Sequence, residues 1–279
     1  TVVVPGQRNG WEETDLPLTG IVVGDAKDEA YASVTLEVTL QAVHGTLNVR
    51  TDVAGGVVQA SGNGTGSVVL IGSPLRINRT LADPTGVIYR GEKDFNDYSL
   101  DRDPDLDEQV VITVNDRGAV GSGGAKLITG TIPISLAQVN DAPNILTPGQ
   151  RTLNEDTTLP IPLIVHDIDA DETPADPLQA VTVTLRLTDT TGQPLSTAGS
   201  LSVNPAVPGG IVNGVNGHIT GSGTALVTIS GPPAAITTTL ANTNGLVYLP
   251  PANFSGRLAL VAVVADHGNS GGGTSLTQT

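Results

Sequence analysis

The chain has 279 residues, of which 28 are acidic and 13 basic, for a formal net charge of −15, with no cysteine and no methionine. A surface of that sign repels phosphates and anionic lipid, so nucleic acid and membranes are not expected partners. Without cysteine there is neither a disulfide framework nor a thiolate metal site, and the longest apolar run, Leu258 to Ala265, is far shorter than the roughly 18 residues of a membrane span.

Two Phe, four Tyr and one Trp leave the core to Val, Ile, Leu and Ala, while 34 Gly and 19 Pro argue against long helices. In chain order, Ser33 to Leu40 alternates Val34, Leu36, Val38 and Leu40 against polar neighbours, the period of a half-buried strand. Strands are then predicted over Gly45–Val49, Ser67–Ile71, Gly86–Tyr89, Gln109–Val114 and Lys126–Leu136, with a short helix or turn over Asn78–Ala82. The second half runs through the same series. Strands are expected at Val181–Leu187, Gly199–Val203, Ala225–Ile229, Gly245–Leu249 and Arg257–Val264, with Thr237–Ala241 as the short helix or turn. About seven short strands per half predict an all-β fold of two antiparallel Greek-key β-sandwiches in tandem.

The halves are an internal repeat. Pro5-Gly6-Gln7-Arg8 recurs as Pro148-Gly149-Gln150-Arg151, an offset of 143. Tyr89 and Phe95 match Tyr248 and Phe254 at an offset of 159, and Asp116-Arg117-Gly118 matches Asp266-His267-Gly268 at 150. The order is collinear and the offset changes only at loop insertions. One domain is therefore expected over 1–139, a linker over 140–143 and a second domain over 144–279, its last strand cut short by the end at Thr279. The sequence reads as a piece of a longer secreted chain.

The motifs fall in a recognisable order. Asn154-Glu155-Asp156-Thr157 opens the second copy, followed by His166-Asp167-Ile168-Asp169, then Pro251-Ala252-Asn253-Phe254-Ser255-Gly256 and Asp266-His267-Gly268, with Val139-Asn140-Asp141-Ala142-Pro143 joining the copies. This order resembles the cadherin-like tandem repeat of large bacterial surface adhesins of the RTX and biofilm type. The resemblance implies Ca²⁺ ligated at the joint between repeats by Glu12 or Glu13, Asp94, Asn140, Asp141, Asp167, Asp169 and Asp266. Asp25 and Asp116 would face a preceding repeat, and Glu155 and Asn253 a following one. It also implies a stalk outside the cell, at the cell surface, stiffened by calcium. Its partners would be neighbouring repeats of the same chain, with homophilic contact or a surface glycan or protein as further partners. One departure stands out: where the second copy has Asp167-x-Asp169, the first has Asp25-Ala26-Lys27, and an ammonium there opposes a divalent ion.

Other patterns lead to weaker readings. The insertion Asp101 to Glu108 is either a solvated acidic loop or a source of calcium ligands; it is no EF-hand, because Leu106 stands where glycine is required and Ile112 where the bidentate Glu belongs. Gly268-Asn269-Ser270-Gly271-Gly272 looks like a protease nucleophile loop but has no histidine motif beside it, and His44, His166, His218 and His267 are scattered. Catalysis is not expected. The paired Tyr89, Tyr248, Phe95 and Phe254 suit core or corner positions, which leaves Trp11, Tyr31 and Tyr98 as the unmatched aromatics for the alternative, a carbohydrate-binding β-sandwich.

Overall fold

The computed structural model describes residues 1–24, 34–97, 108–118, 124–172, 180–195, 197–268 and 276–279. The chain divides into two compact units, Thr1–Gln138 and Val139–Thr279. Both are all-β sandwiches with a short helix packed into one edge.

Unit 1 runs β1 (Val2–Val3), β2 (Arg8–Trp11), β3 (Asp15–Pro17), β4 (Val22–Val23), β5 (Leu36–Ala42), β6 (Gly45–Val49), β7 (Ala60–Ser61), β8 (Ser67–Gly72), α1 (Pro74–Ala82), β9 (Val87–Gly91), β10 (Gln109–Asn115) and β11 (Leu127–Ala137). A six-stranded sheet in the order β2-β11-β10-β5-β8-β7 faces a three-stranded sheet in the order β3-β9-β6, and β1 pairs with β4. Every pair is antiparallel except β2 with β11, which is parallel from Arg8 opposite Ile134 to Trp11 opposite Ala137. That pair departs from the purely antiparallel expectation. It lets the first long stretch of the unit lie beside its last strand.

The period-two pattern does what it should. Val34, Leu36, Val38 and Leu40 are all buried, and the last three meet Val68, Leu70, Val110 and Ile112 in one core. Each such side chain is worth roughly 1.5–3 kcal/mol of transfer free energy, which sets the register, since a one-residue slip would expose the whole row.

Unit 2 runs β12 (Asn144–Leu146), β13 (Leu159–Pro160), β14 (Ile164–His166), α2 (Ile168–Glu172), β15 (Val181–Thr188), β16 (Ser200–Val203), β17 (His218–Thr220), β18 (Leu226–Gly231), α3 (Pro233–Ala241), β19 (Leu246–Leu249), β20 (Ala259–Ala265) and β21 (Thr277–Gln278). Its sheets are β17-β18-β15-β20-β21 and β13-β19-β16, with β12 paired to β14. The counterpart of β11 begins in register, Val264 opposite Gln278 as Val114 is opposite Ile128.

The helices are longer than the turns expected at Asn78–Ala82 and Thr237–Ala241. α1 starts at Pro74 and α3 at Pro233, because proline at the first helical position loses no hydrogen bond. Ser73 caps α1 by accepting from the Arg76 amide. Each helix buries a threonine whose hydroxyl serves the neighbouring loop: Thr80 Oγ1 accepts from Val57 N at 3.0 Å, and Thr239 Oγ1 from Ile211 N at 2.7 Å.

The repeat reaches the backbone angles. Among the described residues six non-glycine residues have positive φ, and they form three matched pairs: Glu13 and Asp156, Asp94 and Asn253, Arg117 and His267. These are turn positions where the left-handed conformation is tolerated at some strain.

Candidate metal centre

The site is built at the end of unit 2 where its first residues, the β14–α2 junction and the loop after β20 meet. Asp167 follows β14 and caps α2: its Oδ1 accepts from Ala170 N at 3.1 Å and its carbonyl from Asp171 N at 3.0 Å. The short helix turns Asp169 toward the start of the unit, where Asp169 Oδ2 accepts from Asp141 N at 2.8 Å. Carboxylate oxygens of Asp141 and Asp169 lie within 4.8 Å of each other. From the far side, Asp266 takes two backbone amides on Oδ1, Gly268 and Leu276, both at 2.8 Å. Its Oδ2 accepts from Asn140 Nδ2 at 2.8 Å.

Five of the sequence-predicted ligands of unit 2, Asn140, Asp141, Asp167, Asp169 and Asp266, are therefore one cluster. Asn140, Asp167, Asp169 and Asp266 are buried. Asp167 is the telling member. It is 3% exposed and its Oδ2 has no hydrogen-bond partner. Burial, reinforced by the charges of Asp266 and Asp171, pushes its pKa up to about 6, against the amide of Ala170. Among the described residues no Lys or Arg forms an ion pair with Asp167 or Asp266. Asp171 instead faces the exposed His166, with Nδ1 to Oδ2 at 3.3 Å.

All the donors are oxygens, from carboxylates and one amide, which is the ligand set of a hard divalent cation such as Ca²⁺. A buried carboxylate oxygen with no donor is costly unless something positive meets it. The residues fit the ion.

Unit 1 carries the other residues predicted for the joint, Glu12, Glu13 and Asp94. Glu12 is buried, its amide donates to the Ala137 carbonyl at 3.0 Å, and its Oε2 accepts from Asn96 Nδ2 at 3.0 Å. Glu13, in the left-handed turn, pairs with Lys93 at 3.5 Å, and Asp94 pairs with the same lysine. Asn96 and its neighbour Asp97 are additions the motif reading missed. Asp97 accepts from Ser135 Oγ at 2.6 Å and from Leu136 N at 3.3 Å. Asn96 gave no charge signal, and in the second copy its place is held by Ser255, so no repeated residue flagged it.

Asp116 repeats the turn of Asp266 in unit 1, taking Gly118 N at 2.9 Å and Lys126 N at 2.7 Å, and those amides hold its carboxyl below the usual range. Glu155 is exposed at the other end of unit 2, where Asn253 N donates to Asp156 Oδ1 at 2.9 Å, so the turn joins Asn253 to Asp156 rather than to Glu155. Asp25, with Lys27 and Asp28, lies outside the described residues, as do Asp101 to Asp107, Asn269 to Gly272, Tyr31 and Tyr98. Glu108 is described: it is buried, not solvated, and its Oε2 accepts from His44 N at 2.8 Å. Trp11 stands 49% exposed on β2.

No family model matches the chain, and no curated protein matches it. Among solved structures it is similar to the C-terminal domain of the AgI/II polypeptide BspA of Streptococcus agalactiae, at 8% identity, covering 88% of this chain and 82% of that one with a TM-score of 0.23. A likeness that slight has no bearing on fold or function. Among the described residues no helix is long and apolar enough to cross a membrane.

Proposed function

We propose that the chain is a calcium-stiffened structural module of a cell-surface adhesin, part of an extended stalk outside the cell, with no catalytic activity of its own. The observation that supports this most is the buried, donorless Oδ2 of Asp167 inside an all-oxygen cluster. When bound, calcium would supply the positive charge that these carboxylates otherwise lack.

Asn140, Asp141, Asp167, Asp169 and Asp266 would hold it, and Asn140 and Asp141 sit in the segment that leads into unit 2. Fixing those two residues fixes the joint: their backbone loses its freedom only while the carboxylates around it are neutralised. The resemblance adds Glu12 to the ligands, and neighbouring repeats of the same chain as the immediate partners. Homophilic contact and a surface glycan or protein are further partners under this reading.

Limited proteolysis with calcium and with chelator tests it. Chelation should open the bonds around Asn140 to Asn144 while fragments matching each unit persist, and calorimetric titration should show calcium binding that Asp169→Ala abolishes. Identical digestion patterns together with no heat of binding would overturn the reading.

A further inference from the structure

The larger sheets of the two units differ at one edge. In unit 1, β10 is paired along its whole length with β11, from Gln109 opposite Pro133 to Asn115 opposite Leu127, and β11 lies between β10 and β2. In unit 2, β20 meets β21 at Val264 and Ala265. Among the described residues, Ala259 to Val263 have a ladder partner in β15 and none on the opposite side. The segment that corresponds to β2, Arg151 to Asn154, forms no strand and is exposed. The two neighbours of β11 thus both have counterparts in unit 2 that lack it.

The core of unit 2 carries the mark of that gap. Val110, which stands opposite Ile132, and Leu18 are fully buried in unit 1. Their counterparts Leu260 and Ile161 pack against the core of unit 2 but are only partly buried. Phe95 is buried, and its match Phe254 is only partly so. The edge itself is a run of Ala, Leu and Val from Leu258 to Ala265, with neither charge nor proline and with high strand propensity. Exposed edges are usually blunted by such residues, because unpaired N–H and C=O groups template further pairing. This edge is not blunted by either.

Unit 1 shows what fits there. Ile132, Ile134 and Leu136 of β11 are buried at alternate positions, with Pro133 and Ser135 between them on the outer face. The β20–β21 register continues that of β10–β11, so a strand extending this ladder brings an aliphatic side chain opposite Leu260, as Ile132 is opposite Val110. We infer that the open edge of β20 is a strand-acceptor site, which takes from a separate polypeptide one extended, uncharged segment with aliphatic side chains at alternate positions. The backbone ladder supplies affinity and the alternate side chains supply specificity. A second copy pairing β20 against β20 would satisfy the ladder. Each strand would then keep its inner side chains over its own core, leaving Leu260 and Ile161 no better covered.

The test titrates a dye-labelled synthetic peptide with the sequence of residues 127–137 into the full chain at fixed calcium, with amide hydrogen exchange on the saturated complex. The peptide should bind one to one. Amides in 259–263 and 151–154 should then exchange at least about tenfold more slowly, while 109–115, already paired, should not change. A peptide carrying Ile132→Asp and Ile134→Asp should bind at least about tenfold more weakly, since two aliphatic side chains no longer leave water. A chain extended after Thr279 by the sequence of residues 130–137 fills its own edge in register and should not bind the peptide. No binding, protection outside the two segments, equal binding of both peptides, or undiminished binding to the extended chain would each overturn the inference. So would a concentration-dependent dimer of the chain alone that protects 259–263, which would assign the edge to a second copy.

Discussion

Unit 1 and unit 2 satisfy their buried backbone groups with matched devices, yet they change the side chains freely where only a donor and an acceptor are needed. Asn78 of α1 clamps both backbone groups of Val23, accepting at 2.9 Å and donating at 2.7 Å; Thr237 of α3 does the same to Val165 with a single hydroxyl, at 2.8 Å each way. Such groups must be paired, so evolution keeps the bond and varies the residue. Charged positions behave otherwise. Where unit 1 has Glu108 unit 2 has Leu258, and where the second copy has Asp169 the sequence of the first has Lys27. The shared devices make the fold; the unshared charges mark what each unit does.

The largest effect should separate the two copies of the aspartate turn. Asp266 serves two backbone amides and Asn140 while buried, so Asp266→Ala strands three donors and should cost about 3–4 kcal/mol of unit 2 stability, measured by denaturant unfolding. Calcium binding should be lost with it. Asp116→Ala removes the same turn from a partly exposed position, where water replaces the carboxylate, and should cost clearly less. Equal losses would mean that the turn alone, not the buried cluster around Asp266, sets the stability.

Next come the corners. Tyr248→Phe leaves the Ala198 carbonyl without its donor and should cost about 2 kcal/mol at any pH between 4.5 and 8. Tyr89→Phe removes the matching bond to the His44 carbonyl and should cost a similar amount over the same range. Clearly unequal losses would mean that the two corners do not carry equivalent bonds.

Much of this was legible in the residues because strand periodicity and repeat offsets are local signals. Leu36, Val38 and Leu40 could be placed on the inner face from alternation alone, and Asp167, Asp169 and Asp266 could be grouped because the order of the motifs resembles that of cadherin-like repeats. Three things were not legible. The helices α1 and α3 begin at Pro74 and Pro233, several residues ahead of the expected Asn78 and Thr237, because the first turn of a helix accepts proline. No helix was expected at Ile168–Glu172, because five residues of helix leave no periodicity to detect. Glu108 read as the end of an acidic insertion, since burial depends on where the β5–β6 turn folds, and nothing near Glu108 in sequence states that.

The smallest effect concerns Asp167 without metal. Its carboxyl is raised to about 6 by burial and by Asp266 and Asp171, so the folded state holds the proton more tightly than the unfolded chain does. The stabilisation is fully present below the ordinary carboxylate range and is lost as pH rises through about 6. In chelator at pH 7 the ionised group is a net burden. Asp167→Asn keeps an oxygen for the Ala170 amide and removes the charge, and should raise apo stability by about 1 kcal/mol, well below the full value of the shift because water screens part of it. The gain should shrink toward zero by pH 4. With calcium present the sign reverses, because the same substitution removes a charged ligand and should weaken binding at least about tenfold. A variant that is stabler in chelator and weaker in calcium would show that the charge is kept at this position for the ion; a variant that is weaker in both would make Asp167 a helix cap and nothing more.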